Sequence, residues 1–184
     1  VSPKSVLRIL EDFLPFAVEN FRGVKEFVDE PPYEPGLRDS IFAVILAEVA
    51  TSEDYGEGQY SRGELLTLVH EALERIALNE WDQVPPLAWT YVAYALALLG
   101  DQVERPLFDD LRGKIARWAD YLLDYDFPTG LYRDTKAEET CWTVGPLVGA
   151  QALWPGDPRC AAWQEKATRF FLNAYNREED LWEN

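Results

Sequence analysis

The chain has 184 residues, with 17 Lys plus Arg against 33 Asp plus Glu, a formal net charge of −16 and a single His. A hydrophobic fraction of 47% and an aromatic fraction of 14% are too high for a disordered chain, so the acidity decorates the folded core of one domain. No run of positive charge is present to release counterions from phosphates, which argues against nucleic acid and anionic membrane surfaces as partners, and no apolar run is long enough to span a bilayer.

The start carries no signal-peptide pattern, and Met is absent even from position 1, so the chain reads as processed or as a fragment, with the cytoplasm as the default compartment. Two Cys without a Cys-x-x-Cys spacing, beside the lone His70, do not make a zinc set; no metal or other cofactor is expected.

In chain order, Ser2-Pro3 reads as an N-cap with Pro at the first helical position. Val6, Leu10, Phe13, Ala17, Phe21, Val24 and Val28 then follow at helical spacing, giving a leading amphipathic helix over 1–30 with Pro15 as a kink. Pro31, Pro32, Pro35 and Gly36 end it. Ile41 to Ala50 is nearly apolar all round and runs out into a polar loop, Thr51 to Tyr60. Ser61-Arg-Gly-Glu64 is a capping-box pattern that opens an amphipathic helix to about Asn79. Pro85-Pro86 starts a second apolar segment to Leu99, and Arg105-Pro106 an amphipathic one to about Asp124. Thr135-Lys-Ala-Glu138 repeats the capping-box pattern before the apolar stretch Cys141 to Trp154, where Gly145 and Gly149 allow close approach by a neighbour and Pro146 bends the helix. Asp157-Pro158 caps a last amphipathic helix to about Tyr175.

Apolar helices therefore alternate with charged ones at a spacing of roughly 50 residues, which predicts a single all-α domain over 1–184. Successive αα-hairpins are expected at 36–80, 81–125 and 131–176. A helix apolar all round requires burial on every side, and its amphipathic successor has one wet face. The expected arrangement is two layers, an α/α toroid or half of one, with apolar helices inside and amphipathic helices outside.

Asp134-Thr-Lys-Ala-Glu-Glu-Thr-Cys-Trp142, Ala152-Leu-Trp-Pro-Gly-Asp-Pro158, Trp163 and Leu172-Asn-Ala174 together resemble a segment of bacterial six-hairpin, (α/α)6-toroid proteins. That group is similar in architecture to heparinase II/III-like polysaccharide lyases and to several glycosidase families. The resemblance covers roughly the last 50 residues of the chain. It implies half of a ring, completed by a homo-dimer or a second toroid half, and a carbohydrate cleft at one rim.

At that rim, Asp134 and Glu139 stand at the opening of a buried helix, where carboxylates can act as acid and base on a glycosidic bond. Tyr132, Arg133, Trp142, Trp81, Asp82, Trp89 and Asp39 are the candidate substrate contacts, the aromatics as sugar-stacking surfaces. Glu138 is already occupied as the capping partner of Thr135, and any Asp at a helix start is equally a cap. With one His, and only Arg38, Arg133 and Lys136 to neutralise a uronate, the composition fits a neutral-sugar hydrolase better than a lyase. A non-catalytic helical domain for protein interaction or assembly is the alternative. Asp109 and Asp110 read as first-turn residues complementing the helix dipole, His70 as a boundary residue, and Tyr55-Gly-Glu-Gly-Gln-Tyr60 as a loop at the opposite rim.

Overall fold

A computed structural model describes residues 3–22, 36–124, 137–176 and 181–182. The architecture is all-helical: α1 (Pro3–Arg22), α2 (Leu37–Thr51), α3 (Arg62–Ala77), α4 (Pro86–Leu99), α5 (Arg105–Asp124), α6 (Ala137–Leu153) and α7 (Cys160–Ala174). A two-residue antiparallel ladder, β1 (Tyr175–Asn176) on β2 (Leu181–Trp182), follows. The expected continuation of the first helix through Val24 and Val28 lies outside the described residues, as does Thr135 of the second capping box. No described helix is long and apolar enough to cross a membrane.

The helix ends obey local chemistry. Ser61 and Glu64 form the full capping box: the Glu64 amide donates to Ser61 Oγ at 3.2 Å, and the Ser61 amide donates to Glu64 Oε2 at 2.8 Å. α2 opens at Gly36, whose φ of +78° favours glycine and where a Cβ would stand a tight 3.1 Å from Val84. Gly100, at φ +53°, closes α4. Ahead of α7, Asp157 Oδ1 accepts from the Arg159 amide at 2.8 Å in an Asx turn.

Helices α2, α4 and α6 pack side by side in that order, and α3, α5 and α7 form a second row behind them. α1 lies antiparallel to α2, tied by Lys4 to Asp54 at one end and by Arg38 to the Asn20 carbonyl at the other. The core between the rows holds Leu46, Leu65, Leu73, Trp89, Leu96, Leu111, Ile115, Leu147 and Trp163. Gly145 and Gly149 set the spacing of α6 on α4, since a Cβ on Gly149 would come within 2.6 Å of Ala93 Cβ, and one on Gly145 would collide with Thr90.

One expectation about the first row needs correction. Its helices are not buried on every side: Ile41 on α2, Tyr94 on α4 and Val148 on α6 are exposed. On α2 the open strip runs Ile41, Val44, Ile45, Glu48, away from the deeply buried Ala43, Leu46 and Ala50. For α4 the second row and its two row neighbours, α2 and α6, cover three sides and leave the fourth open.

Candidate functional site

The starts of α2 and α4 and the ends of α3 and α5 meet at one rim. Trp81 opens a 3-10 turn, Trp81–Gln83, just before α4, and its carbonyl accepts two indole N–H groups: Trp89 Nε1 at 2.9 Å and Trp118 Nε1 at 2.6 Å. The Trp81 ring packs edge-on against Trp118 at a centroid distance of 5.2 Å and tilted against Tyr121 at 5.6 Å; Trp118 and Tyr121 close the triangle at 5.5 Å. Such geometries are favourable for aromatic quadrupoles and hold the three rings as one platform. Tyr121 is its most open member, 43% exposed, and Asp82 is exposed beside Trp81.

The rest of this rim is held by ion pairs and carbonyl contacts. Asp39, in the first turn of α2, accepts from Arg75 Nη2 at 2.8 Å, and Arg75 also lies over the Phe21 ring at 4.2 Å. Lys114 Nζ donates to the Ala77 carbonyl at 2.5 Å and pairs with Asp110 at 3.0 Å, joining α5 to the end of α3. Gly36 against Val84 brings the start of α2 to the start of α4.

The predicted site residues therefore divide. Trp81 and Asp82 stand at an open aromatic rim. Trp89, at 0% exposure, belongs to the core and acts on the rim by holding the Trp81 carbonyl; it has no face open to a ligand. Asp39 is committed to Arg75. Tyr132, Arg133 and Asp134 lie outside the described residues, and Glu139 and Trp142 are placed only as backbone positions near the start of α6. Trp118 and Tyr121 escaped the sequence reading, although an i, i+3 aromatic pair near the end of a charged helix was a visible signal.

A second pair also escaped it. Glu48 is the one charged residue within the apolar run Ile41 to Ala50, and Tyr94 donates its hydroxyl to Glu48 Oε2 at 3.1 Å across the open side of α2 and α4. Burial of the hydroxyl, then this bond and the charge of Glu48, raise the Tyr94 pKa above 10.0. The phenol is thus a hydrogen-bond donor rather than a base.

The remaining candidates have structural partners. His70 Nε2 lies 2.9 Å from the Gln102 carbonyl. Asp109 pairs with Arg105 at 2.8 Å and Arg112 at 3.4 Å. The Tyr55 hydroxyl donates to the Tyr60 carbonyl at 2.5 Å, closing the loop at the opposite rim. Asp157 and Asp120 both bind Arg159, which stacks over the Trp163 ring at 4.7 Å; hydrogen bonds from Arg159 hold the Asp157 carboxyl below the usual range. Cys160 is a free thiol on the Trp154 carbonyl. Among the described residues no three of His, Cys, Asp or Glu cluster as metal ligands would. No known family model, curated protein or solved structure matches the chain.

Proposed function

We propose that the chain is a carbohydrate-active domain of the αα-hairpin toroid type, with its sugar site at the rim where α2, α4 and α6 begin. The observation that carries the reading is the Trp81–Trp118–Tyr121 platform, open at Tyr121 and flanked by exposed Asp82. Half-open aromatic platforms beside carboxylates suit pyranose rings, whose C–H faces pack on aromatics while their hydroxyls bond to acids. The two rows of neighbouring helices support the toroid architecture, and a second toroid half at the row ends would close a six-hairpin ring.

Asp134 and Glu139 are proposed as the acid and base on the resemblance, with Glu139 also standing in the first turn of α6. Neutral-sugar hydrolysis is preferred to uronate elimination. Of the three cations named as partners for a uronate, Arg38 is engaged with the Asn20 carbonyl and lies over the Phe42 ring.

The test is tryptophan fluorescence titration with neutral oligosaccharides, paired with a turnover assay. Tyr121→Ala is expected to weaken binding about tenfold with a fall of a few degrees in melting temperature from its lost contacts with Trp81 and Trp118, the variant staying folded at the assay temperature. Glu139→Gln and Asp134→Asn are expected to abolish turnover while binding persists. If all three variants bind and turn over glycans like the parent chain, the reading fails.

A further inference from the structure

Pro15 interrupts the hydrogen-bond ladder of α1 at one particular carbonyl. Having no N–H, it cannot donate to the Glu11 carbonyl one turn earlier. Glu11, Leu14 and Pro15 form one wall of a cavity of about 280 Å³, at the rim opposite the Trp81 platform. The facing wall is the loop between α2 and α3, with Tyr55 and Tyr60 at its two ends.

That loop is braced from behind. The buried Tyr55 donates its hydroxyl to the Tyr60 carbonyl at 2.5 Å, and Arg62 donates to the Ala50 and Tyr55 carbonyls, both at 2.8 Å. Gly56 and Gly58, which also line the cavity, take no left-handed φ, and a Cβ on either would meet nothing within 4 Å. Neither turn geometry nor packing inside the chain accounts for these two glycines; the left-handed position is Glu57 between them, at φ +51°. What the glycines do is keep the mouth of the cavity clear.

The polar groups on its walls are mainly acceptors: the Glu11 carboxylate, the Glu11 carbonyl left without its amide, and the Tyr60 hydroxyl, which accepts weakly from Gln59 Nε2 at 3.4 Å. The charge of Glu11 reaches the floor of the cavity, where burial first and then this carboxylate hold the Tyr55 hydroxyl above its ordinary 10.0. Glu11 has no ion-pair partner among the described residues. The neighbouring cations are placed elsewhere: Arg62 lies 3.5 Å from Glu57 and Lys4 3.4 Å from Asp54, while Arg8, one turn before Glu11, is exposed and stands outside the walls.

We propose that this cavity binds a primary alkylammonium group, its N–H donors shared among the Glu11 carboxylate, the Glu11 carbonyl and the Tyr60 hydroxyl, and its alkyl stem resting on Leu14 and the Pro15 ring. Three donors on one nitrogen match three acceptors, and a cation so placed also gains from the tyrosine ring. A divalent metal ion would find a single carboxylate in a space far larger than itself. The group can be carried by a free small amine or by a lysine side chain of another protein.

The probe is n-butylammonium, titrated into the 15N-labelled chain and read by amide shifts. Saturable shifts are expected at Gly56 and Gly58, with a millimolar Kd, as suits a ligand of five heavy atoms. Butyltrimethylammonium, with the same charge and no N–H, should bind at least about fivefold more weakly. Glu11→Gln keeps the shape and removes the charge, so it should cost about five- to tenfold at an unchanged melting temperature. Pro15→Ala returns an amide to the Glu11 carbonyl; it should raise the melting temperature yet weaken binding about two- to fivefold, which a purely structural proline would not do. Nα-acetyl-lysine N-methylamide separates the two sources: tighter binding than butylammonium indicates a lysine of another chain, and weaker binding a free amine. Shifts that do not saturate, equal binding of the trimethylated cation, or parental binding by either folded variant overturns the proposal.

Discussion

Tyr94 shows how a single contact across two helices alters the chemistry of a side chain. Its hydroxyl rests on Glu48, and burial, the hydrogen bond and the carboxylate charge all favour the neutral phenol. A folded-state pKa raised above the unfolded value contributes stability that is complete below pH 10 and is lost as pH rises through the folded value. NMR titration of the tyrosine ring should therefore place Tyr94 above the ordinary range. Glu48→Gln should lower it only part of the way, since desolvation, the largest cause, remains. An ordinary Tyr94 titration in the parent chain would mean that the contact does not persist in solution. Asp39, a candidate substrate contact, and Asp157, a helix cap, are each matched to an arginine, which suits them to holding helices in place.

At the scale of elements, the contact of α4 with α6 depends on missing side chains. Gly149 lies where a Cβ would stand 2.6 Å from Ala93 Cβ, and a contact that short requires the helices to separate. Gly149→Ala is expected to destabilise by about 1–3 kcal/mol despite its better helix propensity, because overpacking outweighs the roughly 1 kcal/mol that propensity returns. Ala93→Gly in the same chain should recover part of the loss, a coupling that a double-mutant cycle in urea measures directly. Additive effects would show that the helices already stand further apart. The segment Ala152 to Pro158 and Trp163, which carried half of the family resemblance, has its own structural account. Trp163 is buried, Arg159 bridges Asp157 to Asp120 on α5, and Arg112 covers the Trp154 ring at 4.5 Å. These residues lock α7 onto α5, so their pattern reports a hairpin junction.

For the whole molecule, the two rows are unequal in burial. α2 and α4 touch the second row and a neighbour in their own, whereas α3 and α5 show charged faces to water. Native-state hydrogen exchange is expected to protect the amides of α2 and α4 most, with α3 and α5 exchanging through smaller openings. Uniform protection in both rows would indicate a single cooperative bundle in which the row distinction carries no energetic weight. The net charge of −16 acts at this scale as well, because self-repulsion opposes loose association through the exposed residues of α1, α2, α4 and α6.

Much of this protein follows from local chemistry that the sequence states by itself. The Ser61–Glu64 box, the stop at Gly100, the alternation of apolar and charged helices and the clearance at Gly145 and Gly149 depend on residues a turn or two apart, or on the mere absence of a side chain. Capping and periodicity act over such distances, so they are legible without a fold. The site was legible only in part, as Trp81 and Asp82. Its platform needs Trp118, 37 residues further on, to donate to the Trp81 carbonyl, and no local rule specifies that meeting. Tertiary structure also decided that Trp89 turns inward while Tyr94, five residues later on the same helix, turns outward to Glu48. Which side of an apolar helix stays open depends on how many neighbours pack around it, and that number is set by the assembled rows rather than by the composition of the helix.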